Sequence, residues 1–233
     1  MCDSCGCGGH GTVVEVNQSL LAANEARARE NRRHIEALGA VAVNLMSAPG
    51  SGKTTLLEHT VEALGGRCRI AVIEGDIETE RDAERIRAKG VPVAGLTTGG
   101  ACHLDAPLVH EGLHRLAEEI GSRGLDLLFI ENVGNLVCPA AFDLGEHRRV
   151  VLVSVPEGSD KPAKYPAAFR RADLFVVSKA DLLPHFDFSL EEARTSARAL
   201  NPGIRMLTVS VADGRGFDAW IDWLTSLVHG RRG

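Results

Sequence analysis

The stretch Ser47-Ala48-Pro49-Gly50-Ser51-Gly52-Lys53-Thr54 constrains this chain more than any other. An apolar run, Val41-Ala42-Val43-Asn44-Leu45-Met46, precedes it, and a helical pattern over residues 55–64 follows. Strand, glycine-rich turn, Gly-Lys-Thr and helix are the ordered parts of a phosphate-binding loop. Its glycines let backbone N–H groups turn inward around a phosphate, and the helix start adds about half a positive charge. Lys53 is placed to reach the β- and γ-phosphates, and the Thr54 hydroxyl to hold Mg²⁺. Gly50, Ser51, Gly52, Lys53, Thr54 and Thr55 are therefore the candidate nucleotide contacts. Ser47 departs from the pattern, which has Gly at that place.

The remainder alternates strand and helix. Strands are predicted at 41–46, 69–75, 91–96, 126–131, 150–155, 174–178 and 205–210. Helices are predicted at 18–38, 55–64, 80–89, 104–121, 189–200 and 216–228. The strands are nearly continuous apolar runs, as strands covered on both faces are. The expected fold is α/β, a P-loop NTPase three-layer sandwich with a mostly parallel sheet and helices on both faces. Ligands then gather beyond the carboxyl ends of the strands. With 233 residues, 44% of them hydrophobic, the chain has material for one such domain. It is assigned to 17–233, led by helix 18–38, with 1–16 as a flexible cysteine-rich segment. The cluster Arg27, Arg29, Arg32 and Arg33 on that helix reads first as a solvated face. A net charge of −5 and 4% aromatics give no reason to expect nucleic acid or an anionic membrane as partner. No apolar run approaches the roughly 18 residues of a membrane span, and no signal segment opens the chain, so a cytoplasmic location is expected.

Polar clusters fall at the predicted strand ends. Glu74-Gly75-Asp76 follows the second strand, and Asp76 is a candidate to hold a Mg²⁺-bound water or to polarise the attacking water. Glu131-Asn132-Val133-Gly134-Asn135 ends another strand. Glu131 is the candidate second carboxylate of the Mg²⁺ site, and the Gly134 N–H a candidate sensor of the γ-phosphate. Lys53, Asp76 and Glu131 are thus the catalytic candidates. Ser178-Lys179-Ala180-Asp181 resembles the guanine-reading motif Asn-Lys-x-Asp, with Ser in place of Asn. The Asp181 carboxylate can accept from N1–H and the 2-amino group of guanine, whereas adenine would leave it unpaired; such sites discriminate by about 10⁴-fold. The Lys179 stem can lie over the base, and Ser210 fits a further loop near guanine O6. GTP/GDP is preferred to ATP.

Thiols supply a second theme. Cys2, Cys5 and Cys7 lie within six positions, spaced for several thiolates to reach one metal. A redox dithiol or an inert tail is the competing reading. Cys102 and His103 are adjacent, and Cys138 follows Glu131 by seven residues. Two copies facing each other across a dimer axis would close a mixed S/N site; two separate core cysteines are the plainer alternative. Soft thiolates suit Zn²⁺, Ni²⁺ or Cu⁺. Cys68 is taken as structural, and His110, His114 and His147 are given no role.

Taken in order, the cysteine cluster, Ser-Ala-Pro-Gly-Ser-Gly-Lys-Thr-Thr, Glu-Gly-Asp, Gly-Ala-Cys-His-Leu, Glu-Asn-Val-Gly-Asn-Leu-Val-Cys-Pro and the segment Pro156 to Pro166 closely resemble the HypB family, SIMIBI-class GTPases that help deliver nickel to [NiFe]-hydrogenase. The resemblance covers essentially the whole chain. It implies a GTP-dependent homodimer. No obvious catalytic Gln or arginine finger stands in the sequence, so slow intrinsic turnover is expected, of order 10⁻⁴ to 10⁻² per second for an unassisted GTPase. It implies one metal site on Cys102, His103 and Cys138, taking Ni²⁺ or Zn²⁺, and another, for nickel, on Cys2, Cys5 and Cys7. Implied partners are a HypA-type nickel chaperone and the hydrogenase large subunit. The family tolerates Ser at position 47. Some members carry a His-rich tract near the N-terminus; this chain has only His10 there. Lys161, in a Gly- and Pro-rich loop, is a candidate to reach the nucleotide, from its own or a second subunit. A urease-type nickel GTPase, a metal buffer with a structural nucleotide site and a small-metabolite kinase are the rival readings.

Overall fold

The protein is described from a computed structural model over residues 13–232, with side chains from 19 to 231. Cys2, Cys5, Cys7 and His10 lie outside the described residues. The chain runs α1 (Val13–Ala37), β1 (Val41–Ser47), α2 (Lys53–Leu64), β2 (Ile70–Asp76), α3 (Arg81–Arg87), β3 (Val93–Thr97), α4 (Ala106–Ile120) and β4 (Leu127–Glu131). It continues through β5 (Arg148–Ser154), α5 (Lys161–Lys164), α6 (Pro166–Arg170), β6 (Leu174–Ser178), α7 (Leu190–Leu200), β7 (Arg205–Thr208) and α8 (Phe217–Arg232).

All seven predicted strands are present, and they form one sheet in the order β3-β2-β4-β1-β5-β6-β7. Every strand pairing in it is parallel, so the expected "mostly parallel" sheet is wholly parallel. From β1 the chain builds outward in both directions, through β4 on one side and β5 on the other. The reversal opens a crevice at the carboxyl end of β1, where the phosphate-loop residues lie.

Alternate residues of each strand feed opposite cores, as a period of two requires. Val41, Val43 and Leu45 of β1 pack with Leu56, Leu57, Val61 and Leu64 of α2 and with Trp220 and Leu224 of α8. On the other face, Ala42, Ala71, Ile73, Leu128 and Ile130 meet Ile35 of α1 and Val109, Leu113 and Leu116 of α4. Beyond them Met46, Val151, Val153, Phe175 and Val177 meet Phe169 of α6 and Ala193 and Ala197 of α7. Cys68 packs against the first of these cores, as a structural residue would.

Several boundaries differ from expectation, among them the starts of α1 and α4. Helix α1 begins at Val13, so the proposed division at residue 16 falls inside its first turn. Helix α4 begins at Ala106 rather than 104, because Asp105 takes the capping place and its Oδ1 accepts from Leu108 N–H at 2.9 Å. The arginine face of α1 is also not wholly solvated. Arg32 donates to the carbonyls of Gly145 and Glu146, tying the helix to the segment that enters β5.

Candidate functional site: a phosphate loop beside a Cys-His-Cys cluster

Residues 47–54 form the expected loop between β1 and α2. Gly50 and Gly52 stand at φ of 75° and 90°, a backbone region that side-chain-bearing residues rarely enter. Lys53 is buried, and its Nζ donates to Ser47 Oγ at 2.9 Å. Ser at position 47 thus gives the lysine a polar resting place that Gly could not. Burial lowers the Lys53 pKa, against the opposing pull of Glu131, Asp82, Glu157 and Glu74.

A cleft of ≈ 440 Å³ opens over the loop. It is lined by Pro49, Gly50, Gly52, Lys53, Thr54 and Thr55, by Glu74 to Ile77, by Asp82, Arg85 and Lys179, and by Glu131 to Gly134. On its floor Thr54 Oγ1 donates to Glu131 Oε1 at 2.7 Å. Glu131 Oε2 and Glu74 Oε2 are buried without a hydrogen-bond partner. Burial is the main reason that the two carboxyls are pushed up, Glu131 to about 7 and Glu74 to about 8, and each would gain from a cation. A hydroxyl with two buried carboxylates is a hard oxygen set of the kind that suits Mg²⁺. Asp76 also lines the cleft, but its carboxylate is engaged locally, accepting from Ile77 N–H at 2.5 Å and Thr79 Oγ1 at 2.8 Å. Glu74, two residues earlier, is the better buried of the pair and was not singled out from sequence.

The neighbouring pocket, ≈ 160 Å³, is lined by Ser51, Gly52, Thr55, Ser178, Lys179, Asp181, Leu182, Val209, Val211 and Ala212. Behind it Ser210 Oγ donates to Asp181 Oδ1 at 2.7 Å. Ser178 Oγ donates to Ser51 O at 2.7 Å, and Lys179 Nζ to Gly50 O at 2.7 Å, so this motif is stitched to the phosphate loop. Lys179 holds a φ of 55°, the one non-glycine residue at positive φ among those described. Lys161 stands one shell away. Its Nζ lies 3.7 Å from Glu157 Oε1, while Glu157 Oε2 is 2.7 Å from Ser51 Oγ. Glu157 braces the loop from below, a role that its place in a Pro-Glu-Gly string does not reveal.

The second cluster forms from chain segments far apart in sequence. Cys102 Sγ and Cys138 Sγ are 3.0 Å apart, and Cys102 Sγ is 3.9 Å from His103 Nδ1. All three side chains are half-buried, with one ligand atom of each within 4.8 Å of the others. Two separate core cysteines would not converge in this way. Burial lowers the His103 pKa, which favours the neutral ring that a metal needs. The ring lies against Phe142, with centroids 4.2 Å apart.

The two sites are physically joined through Leu104, the residue after His103. Its backbone N–H donates to Asn132 Oδ1 at 3.0 Å, one residue past Glu131. Its side chain fills the space over Gly75, where an added Cβ would lie 2.6 Å from Leu104 Cγ. Gly134 packs a little less closely on Pro49 of the phosphate loop, at 3.0 Å for an added Cβ. A larger residue at Gly75 would push Leu104 off the end of β2, and one at Gly134 would push the phosphate loop away from the end of β4.

Comparison with known proteins agrees with this geometry. Residues 41–208 match the CobW/HypB/UreG nucleotide-binding domain. The chain is 51% identical to the hydrogenase maturation factor HypB of Azotobacter vinelandii over 212 residues, 91% of this chain and 69% of that protein. It superposes on the crystal structure of HypB from Helicobacter pylori in complex with nickel with a TM-score of 0.85, at 38% identity, over 89% of this chain and 96% of that one. HypB from Archaeoglobus fulgidus is similar, with a TM-score of 0.81 at 42% identity, over 89% of this chain and all of that one (100%). The chain therefore belongs to the CobW/HypB/UreG family, and within it to the HypB hydrogenase maturation factors.

Proposed function

We propose that this chain is a GTP-hydrolysing nickel metallochaperone for [NiFe]-hydrogenase, in which nucleotide state controls a metal site on Cys102, His103 and Cys138. The observation that carries the reading is the double anchorage of Leu104. Through Asn132 it is tied to the end of β4, and through Gly75 to the end of β2. Any movement of those strand ends toward a γ-phosphate is passed to His103 next to it.

The phosphates lie on the loop N–H groups of Gly50, Ser51, Gly52, Lys53, Thr54 and Thr55, with Lys53 swinging from Ser47 to the β- and γ-oxygens. Thr54, Glu131 and Glu74 would hold Mg²⁺, which would neutralise phosphate charge, and Asp76 would orient water. The Gly134 N–H reports on the γ-phosphate. Asp181, fixed by Ser210, reads guanine, with the Lys179 stem over the base. Lys161 pairs with Glu157 beneath the loop and supplies positive charge close to the phosphates. Nickel or zinc is the cargo, held by thiolates and imidazole as softer metals are. One Cys-His-Cys set leaves a metal short of a fourth protein ligand, so the reading includes a homodimer in which two clusters face each other. Cys2, Cys5 and Cys7 form a separate nickel site, and the protein hands metal between a HypA-type chaperone and the hydrogenase large subunit in the cytoplasm. No helix among the described residues is long and apolar enough to cross a membrane.

Phosphate release from GTP, ATP and XTP by the wild-type chain and by Asp181→Asn tests the reading. GTP should be hydrolysed slowly, of order 10⁻⁴ to 10⁻² per second, with ATP disfavoured by about 10²-fold or more. The Asn variant should shift preference to XTP, because an amide N–H matches the xanthine 2-oxo group. Equal use of ATP and GTP by the wild type would overturn it.

A further inference from the structure

Helices α1 and α4 bring three histidines together outside the nucleotide cleft and outside the Cys-His-Cys cluster. His34 comes from the last turn of α1, and His110 and His114 from successive turns of α4. One ring nitrogen of each lies within 4.8 Å of the others. We propose that His34, His110 and His114 form a further metal site, an all-imidazole centre for a borderline divalent cation such as Ni²⁺ or Zn²⁺.

The hydrogen-bond network fixes the ring that matters most. Asn31 is fully buried, and its Nδ2 donates to the carbonyls of Ala106 at 2.8 Å and Leu144 at 3.0 Å. Two carbonyls can only accept, so the amide nitrogen must face them and Oδ1 must face His110. His110 Nδ1 lies 2.9 Å from that oxygen and therefore carries the proton. His110 Nε2 is then an acceptor facing His114 Nε2, 3.1 Å away, and takes its N–H until an ion displaces that proton. An outer-sphere acceptor that selects the ligating nitrogen is the usual partner of a metal-binding imidazole.

The spacing also fits. At metal–nitrogen bonds of about 2.0–2.1 Å, two ligands of one ion stand about 2.9 Å apart at a right angle and about 3.4 Å apart at a tetrahedral angle. The observed 3.1 Å falls between them. Burial, mutual repulsion within the cluster and the nearby Arg27 hold His34 and His110 below the usual histidine range, with Glu30 opposing at His110. Neutral rings with free lone pairs are what a metal requires. Imidazoles without thiolate or carboxylate suit nickel, zinc and copper rather than Mg²⁺ or Ca²⁺. His114 is exposed, which gives an ion its path in and leaves positions for water. The site is close to the thiolate cluster: α4 opens three residues after His103, and His110 stands about 6 Å further along its axis.

The test uses the full chain with Cys2, Cys5, Cys7, Cys102 and Cys138 all replaced by Ser, titrated with Ni²⁺ and with Zn²⁺ by calorimetry. One equivalent of metal should still bind. X-ray absorption of the nickel form should show nitrogen and oxygen neighbours with imidazole scattering and no sulfur. Adding His114→Ala, or separately His34→Ala, should weaken binding at least about tenfold, with the circular dichroism spectrum unchanged. Loss of all binding in the cysteine-free chain would overturn the proposal. So would a sulfur neighbour, or affinity that survives both histidine substitutions.

Discussion

His147 shows how one ring can tie stability to pH. Its Nδ1 accepts the N–H of Ala42, the second residue of β1, at 3.0 Å, so the folded state needs that nitrogen bare. Burial, then the Arg32, Arg231 and Arg148 guanidiniums, bring its pKa down to about 4. Glu36 Oε1, 3.7 Å from Nε2, pulls weakly the other way. The unfolded chain takes up this proton near the ordinary value of 6.5 and the folded chain does not. The stabilisation is therefore complete above about pH 6.5 and is lost as pH falls toward 4. After screening by the solvent that reaches the ring, it is on the order of 1–2 kcal/mol. Glu74 and Glu131 act with opposite sign. Their raised values mean that stability is full below the ordinary carboxylate range and is lost as pH rises through 7 to 8. Urea denaturation of wild type and His147→Gln, compared at pH 7.5 and again at pH 4.5, isolates the histidine. The wild type should lose about 1–2 kcal/mol relative to the variant on acidification; a difference that does not change with pH would contradict the assignment.

Residue-scale chemistry was legible from sequence where a motif carried it. Lys53, Thr54, Glu131 and Asp181 stand where strand-end reasoning put them, and Cys102, His103 and Cys138 converge. Residues that act through partners distant in sequence were not legible. Glu157 beneath the loop, and His34 with His110 and His114, depend on contacts across more than 70 residues. The spacing of His110 and His114, four apart on a helix, was visible. Its third ligand on α1 was not, because nothing local marks where that helix will dock.

At the scale of elements, the sheet was the easiest part to read. Strands buried on both faces must be apolar throughout, so each announced itself as a run. Short turns such as α5 and α6, started by Pro162 and Pro166, have no periodicity to detect. One sharply defined packing joint is between α8 and α2. Trp220 is fully buried, stacks on Trp223 with centroids 5.5 Å apart, and donates Nε1–H to Thr60 Oγ1 at 2.8 Å. Trp220→Ala should cost about 3–5 kcal/mol, since it opens a cavity and removes that donor. For a domain of this size the melting temperature should fall by about 6–20 °C. Calorimetry checks this, and a loss below about 1 kcal/mol would mean that the joint relaxes around the missing ring.

In the whole molecule, two sites share a few strand ends. The sheet order places the ends of β2, β4 and β1 side by side. The phosphate loop, the buried carboxylates and the Cys-His-Cys cluster are then bridged by Leu104, Asn132 and Gly134. A ligand at one site can bias the other only through a differential contact, and by linkage the bias is reciprocal. The direct measurement is nickel affinity, by competition with a chromophoric chelator, with Mg²⁺ and GDP and again with Mg²⁺ and a non-hydrolysable GTP analogue. The chain should carry Cys2→Ser, Cys5→Ser, Cys7→Ser and His114→Ala, so that the Cys102, His103 and Cys138 site is read alone. The two affinities should differ by about tenfold or more, and Asn132→Ala should shrink the difference to less than about twofold. Equal nickel affinity in the two nucleotide states would contradict the account.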